Sequence, residues 1–282
     1  MKREMETCSS NSFSHRSISL PTKTNPILHR VEECLAVAKG WQAQPHSLTS
    51  NGLAHLKDLF FCTGNFLQMA YSQQALRRKE KFVNQLMDDF LRLLDVCGMV
   101  KDSVQQMREQ QEALQSMFRR RDQNLHVGIS RYQSTRKRMR KEMIKCQQMM
   151  KTMEVLAFPS DDCKVEAILR DVKTNTVYVF ELLASIISAR NPSWSVFSRL
   201  LSSKRQNSPD EENINEIERL DAALFAACGQ LNKELAEDSV QSAQRLMENL
   251  DRCLRGVEDE LEGVFRCLIN ARVTLLNILT CS

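Results

Sequence analysis

The chain has 282 residues and a formal net charge of +4, with only 8 Gly, 6 Pro and 6% aromatic residues. Scarce breakers with abundant Leu, Met, Gln, Glu, Lys and Arg predict an all-α protein, long enough for one large domain or two small ones. The 10 cysteines include no C-x-x-C pair, and Cys34, Cys97, Cys146, Cys253 and Cys267 fall on or beside helix stripes, so they exclude a disulfide framework and fit a reducing compartment.

Residues 1–24 are rich in Ser and Thr and lack periodicity, which predicts a disordered tail. Glu4 and Glu6 argue against a transit peptide, and the N-terminus has no apolar core of a secretory signal. Neither end carries a lipidation motif, and no continuous apolar run reaches the ~18 residues of a membrane span. The expected compartment is the cytoplasm, with the nucleus as the alternative.

Asn25-Pro26 reads as a cap followed by Pro at the first helical position. It starts a helix to about Trp41 with Ile27, Val31, Cys34, Leu35 and Ala38 on one side. Pro45 and Asn51-Gly52 break the pattern. A second helix, about Leu53 to Ala70, turns Leu56, Leu59, Phe60, Thr63 and Leu67 inward, and Ser72 to Arg78 reads as a further helical turn. The third long helix, about Lys79 to Arg119, has the seam Leu86, Phe90, Leu93, Cys97, Val100, Val104, Met107, Gln111, Leu114, Phe118. Gly98 in its middle predicts a close helix approach, with a kink as the rival reading.

After a loop at 121–126, a fourth helix over about 127–156 places Ile129, Tyr132, Met139, Met143, Cys146, Met150 and Met153 on its stripe, with Arg136 as the polar exception. Phe158-Pro159 ends it, and Ser160-Asp161-Asp162 starts a fifth helix to about Ala189 through Val165, Ile168, Val172, Val179, Leu182 and Ile186. A short piece holds Trp194, Phe197 and Leu200. A polar loop near 202–209 then separates off the C-terminal helices. Ser208-Pro209-Asp210-Glu211 is a start signal for a helix through Ile217, Leu220, Leu224, Ala227 and Leu231.

The last stretch, Val240 to Ile278, is the most regular. Val240, Ala243, Met247, Leu250, Leu254, Val257, Leu261, Val264, Leu268, Ala271, Leu275 and Ile278 alternate steps of three and four, an a/d heptad seam. Asp238 with Gln241 fits a capping box, and Glu248/Arg252, Asp251/Arg255 and Glu262/Arg266 fit i,i+4 ion pairs. The expected fold is therefore an elongated antiparallel bundle of long amphipathic helices with coiled-coil-like seams, one domain over 25–282 behind the disordered tail.

No sequence pattern carries a chemical reaction. None of His15, His29, His46, His55 and His126 lies at zinc-site spacing, and nucleophile-elbow, phosphate-loop and dinucleotide motifs are missing. The reading is a non-enzymatic protein with no catalytic, cofactor-binding or metal-binding residues. Two other features stand out. Arg119 to Lys151 is strongly basic, whereas acids predominate from Pro209 onward. Within the basic run 131–145, Arg136, Lys137, Arg138, Arg140 and Lys141 form a basic patch, read either as a face matched to the acidic helices or as a site for a polyanion or membrane surface. Nucleic acid is disfavoured, since Tyr132 is the one aromatic nearby. In the tail, Arg16, Ser17, Ser19 and Pro21 form a pattern that looks like the docking motif of 14-3-3 proteins once Ser19 is phosphorylated.

The segments "RSISLPTKTNPILHRVEE", "RLLDVCGMVKDSVQQMREQQEALQSMFRRR" and "EGVFRCLINARVTLLNILT", and within them "LLDVCG" and "RVTLLNIL", resemble the land-plant BYPASS-related family of unknown molecular function, from about Ser12 to Thr280. The resemblance implies a role in root and shoot development; no enzymatic activity or catalytic residues are established for the family, so none transfer. The expected function is a helical interaction or regulatory protein whose partners are other proteins. The alternative is a peripheral membrane or polyanion binder through 131–145. Whether the C-terminal heptads pair within one chain or between two is open at this level.

Overall fold

The computed structural model describes residues 25–41, 51–153, 163–188, 215–230 and 237–280. Among them are eight α-helices and no strand: α1 (Pro26–Trp41), α2 (Asn51–Leu67), α3 (Ala70–Arg77), α4 (Glu80–Arg120), α5 (Leu125–Lys151), α6 (Lys164–Ser188), α7 (Glu216–Gln230) and α8 (Glu237–Thr280). The protein is all-α, as its composition predicts. The tail 1–24, the Ser160–Asp162 start, the Trp194 segment and the Ser208–Glu211 signal lie outside the described residues.

The organising pair is α4 and α8. They have 41 and 44 residues, which at ~1.5 Å per residue makes rods of roughly 60–65 Å and an elongated bundle. Every seam position expected on α8 from Ala243 to Ile278 is buried, and Val240 is half-buried. Every seam position expected on α4 from Leu86 to Phe118 is buried as well. The two run antiparallel, since the ion pairs Lys101–Glu262, Arg108–Glu258 and Arg255–Glu112 step along them in opposite directions. The heptads of α8 therefore find partners within the chain. Buried Gln111 donates from its amide nitrogen to the Met247 carbonyl, and the Cys97 thiol points at the Leu261 carbonyl at 3.6 Å.

The remaining helices pack around this pair. α5 folds back along α4, α2 lies against α8, and α6 fills the space beside α5, α2, α4 and α1, while α7 packs on α8 and touches α5. The Asn25 cap forms as expected, its Oδ1 accepting the Ile27 N–H at 3.0 Å. Val31, Cys34, Leu35 and Ala38 are buried, but Ile27, in the first turn of α1, is 37% exposed. The inward positions expected on α2 are all buried, Phe60 meeting Phe90 edge-on at 5.9 Å.

Several local expectations are corrected. Gly98 makes no close approach: a Cβ there would meet nothing within 4 Å, and α4 runs through it unbroken. The tight contact is at Gly128, where a Cβ would lie 2.6 Å from Met117 Sδ, because α5 doubles back directly beneath the end of α4. Arg121 makes that reversal in the left-handed region (φ 48°), with its N–H on the Phe118 carbonyl and that of Asp122 on Met117, at 3.2 and 3.1 Å. The loop is shorter than expected, since α5 starts at Leu125. Near the end of α6, Leu183 and Ile187 are buried whereas Leu182 and Ile186 are half-buried. A helix contacted from several sides buries a broad arc, and a single 3-4 stripe mislocates its last turns. α7 is capped reciprocally by Asn215 and Glu218: Asn215 Oδ1 accepts from the Glu218 N–H at 2.9 Å, and Glu218 Oε2 from the Asn215 N–H at 3.2 Å. α8 begins at Glu237, so Asp238 lies in its first turn.

Leu261 is fully buried at the centre of the α4–α8 seam. Leu261→Ala should lower the unfolding free energy by about 2–5 kcal/mol, read as a shift in the denaturation midpoint, whereas Ile269→Ala on the open side of the same helix should shift it little.

Candidate functional site

The structure divides the basic run on α5. Lys137, Arg138 and Lys141 are exposed, but Arg136 is only 2% exposed. Arg136 Nε donates to Asp221 of α7 at 3.1 and 3.4 Å, and its Nη1 donates to the Ile187 carbonyl at the end of α6 at 2.7 Å. Arg140 Nη2 lies 3.9 Å from the same carboxylate. One guanidinium thus joins α5, α6 and α7, so Arg136 is not part of a surface patch. The stripe position that made it the polar exception of a greasy face was the visible sign of this. Burial pushes the Asp221 carboxyl above its usual range, opposed by the Arg136 charge. Tyr132, beside them, is fully buried and its phenol is held well above its ordinary range by burial, so it offers no stacking face at the surface.

The reduced patch of Lys137, Arg138 and Lys141 keeps an open orientation. Arg138 Nη2 donates to Gln106 of α4 at 2.7 Å, and Lys145 pairs with Glu142 of its own helix at 2.9 Å. The acids of α8 answer to other bases, Lys57 of α2 reaching Glu260 at 2.7 Å and α4 supplying Lys101 and Arg108. Of the three exposed pairs expected on α8, Asp251–Arg255 and Glu262–Arg266 form at 2.9 and 3.0 Å, while Arg252 turns to Asn249. Lys101 and Arg266 together hold the Glu262 carboxyl below its usual range.

Two more buried carboxylates follow the pattern of Asp221. Asp89 on α4 pairs with Lys173 of α6 at 3.1 Å, and the same ammonium caps the Met153 carbonyl. Glu166 on α6 is held by Lys79 and Arg170, each at 3.0 Å, and Arg170 also lies over the Phe82 ring. The spacing of these acids carries no sign of burial, because the neighbours that enclose them come from other helices.

α8 also carries a second apolar stripe that the sequence reading missed. One heptad beyond Glu258 and Glu262, the same flank passes to Phe265 and Ile269, then to Val273 and Leu276. Phe265 is half-buried, and Ile269, Val273 and Leu276 are 40–49% exposed, with Arg266 and Arg272 exposed beside them. By length and composition α8 contains an 18-residue window apolar enough to cross a membrane, and 28% of that window is buried. A scan for uninterrupted apolar runs misses it, since Arg266, Asn270 and Arg272 break the run.

Among the described residues no three His, Cys, Asp or Glu side chains converge as a metal site would require, and His29 pairs with Glu33 one turn on at 3.1 Å. An open cleft of about 350 Å³ lies over the ion pairs of α4 and α8, lined by Lys101, Arg108, Arg255, Glu258, Asp259 and Glu262. A second, of about 360 Å³, lies between α5 and α6 at Lys151, Tyr178 and Glu181. The motif at Arg16, Ser17, Ser19 and Pro21 lies outside the described residues.

A family model described as Protein BPS1 matches residues 52–278. No curated protein matches the chain, and no solved structure matches it.

The Arg136–Asp221 contact generates a two-part expectation. Arg136→Ala should destabilise the protein by about 3–5 kcal/mol, because a buried carboxylate is left without its cation. Arg136→Met combined with Asp221→Leu should recover most of that loss, measured by chemical denaturation of the single and double variants.

Proposed function

The chain belongs to the BPS1 family, and from that premise we propose that it serves plant root and shoot development as a non-enzymatic interaction protein. Family membership supports the developmental part of this reading. The observation that carries the molecular part is the state of the buried charges. Asp221, Asp89 and Glu166 are each fixed against a cation from a neighbouring element. A carboxylate buried and held in this way braces helices, and it faces no surface where a substrate could meet it. What the bundle then offers is its outside, together with the phosphorylatable motif around Ser19, in a cytoplasmic or nuclear setting.

In this reading the Arg16-Ser17-Ile18-Ser19-Leu20-Pro21 segment docks a 14-3-3 protein after phosphorylation of Ser19, where the phosphate adds about −1.5 to −2 charges for an arginine cluster to hold. A phosphopeptide spanning residues 12–30 should bind a purified 14-3-3 protein in fluorescence polarisation. The unphosphorylated peptide and its Ser19→Ala form should lose at least tenfold in affinity. Equal binding by all three would remove phospho-docking from the reading.

A second reading, peripheral contact with an anionic membrane, is favoured by one feature, the exposed Ile269, Val273 and Leu276 flanked by Arg266 and Arg272. It moves the contact from 131–145 to the end of α8, since Arg136 is unavailable at the former. The full chain should float with vesicles containing phosphatidylserine at low salt and be released as salt rises. Val273→Asp should abolish flotation, and Lys137→Ala should leave it intact.

A further inference from the structure

Cys34 of α1 and Cys62 of α2 meet at the interface of the two helices with their Sγ atoms 3.2 Å apart. Both are free thiols, 9% and 6% exposed. Among the described residues no other two cysteine sulfurs are in contact: the Cys97 thiol faces the Leu261 carbonyl, and that of Cys146 lies 3.8 Å from Met99 Sδ. A disulfide bond is ~2.05 Å long, so closing this pair asks the sulfurs to approach by roughly 1 Å, within reach of small side-chain rotations. Two charges stand by. Arg30, one turn before Cys34 on α1, favours the thiolate, and Asp58, one turn before Cys62 on α2, opposes it.

We propose that Cys34 and Cys62 form a site of reversible two-electron oxidation, at which hydrogen peroxide converts the dithiol into a disulfide tying α1 to α2. The Cys34 thiolate attacks the peroxide, the O–O bond breaks, and the departing hydroxide takes up the thiol proton as water. The Cys62 thiolate then attacks the resulting sulfenic sulfur and expels a second hydroxide, which leaves as water with the second thiol proton. In sum two thiols lose their hydrogens, one sulfur–sulfur bond forms, and one peroxide is reduced to water. A cellular dithiol reverses the step by exchange.

The setting makes the site reluctant at rest. Burial and the neighbouring sulfur push the Cys34 thiol up to about 12, so reaction passes through openings in which α1 lifts and Arg30 holds the exposed thiolate. Once closed, the bond joins residues 28 apart in sequence and restrains the short N-terminal helix on the bundle.

The test uses the reduced, folded full chain and dilute hydrogen peroxide, with remaining thiols blocked before tryptic digestion. Mass spectrometry should show residues 31–39 joined to 58–77, lighter than their sum by two hydrogens, and dithiothreitol should separate them. The oxidised chain should melt about 5 °C higher than the reduced one, and Cys62→Ser should lose both the crosslink and the shift. Recovery of Cys34 and Cys62 both unoxidised, either one bonded to a different cysteine, or either one over-oxidised without a crosslink would overturn the proposal. The mass readout is made on the unaltered chain, so it stands even if Cys62→Ser folds poorly.

Discussion

The structure depends on one constraint, the burial of an unbroken apolar seam on a 44-residue helix. A rod of that length cannot hide its stripe by itself, and any seam side chain left in water would forfeit roughly 1.5–3 kcal/mol. α4 answers with a seam of nearly equal length, and the loops on either side are tight enough to hold α5 and α3 against the pair. Everything else, including the central position of α6, follows from covering the flanks that two rods leave open. The bundle is shaped by side chains that meet each other.

Charge plays two separate roles on this scaffold. Inside, Arg136–Asp221, Lys173–Asp89 and the Lys79–Glu166–Arg170 cluster bridge elements that apolar contacts alone would leave free to slide. Each replaces hydration by a fixed partner and a backbone carbonyl or second cation, the condition under which a buried ion is tolerable. Outside, the ion pairs of α8 are half-buried or exposed and individually weak. The basic surface that a partner could meet is therefore smaller than the composition of α5 implies, and the apolar surface at the end of α8 is larger.

The helices and most of their inward faces were legible because 3-4 spacing is a local property, visible in any one strip of sequence. Leu254 or Phe90 declares its side by its own neighbours. Arg136 could be flagged as an anomaly on its stripe, but its partners at Asp221 and Ile187 lie 85 and 51 residues away, a relation that no periodicity encodes. Gly98 misled for the same reason: composition can suggest a close approach, yet only the path of the facing helix decides whether one exists, and the close approach falls at Gly128 instead. The contact between Cys34 and Cys62 was equally hidden, each cysteine reading simply as a small apolar residue.

A regular seam has a weakness, since sliding one rod past the other by a heptad would again set leucine against leucine. The marks along the flank of α4 and α8 remove that ambiguity. Moved by seven residues one way, Lys101 would face Arg255 and Glu112 would face Glu248; moved the other way, Lys101 would lose its acid to Ile269 and Glu112 would meet Glu262. Gln111 would also leave the Met247 carbonyl for a different turn. Contacts that add little to the depth of the energy well thus single out one alignment among near-equivalent ones, as the teeth of a key select one position in a smooth lock.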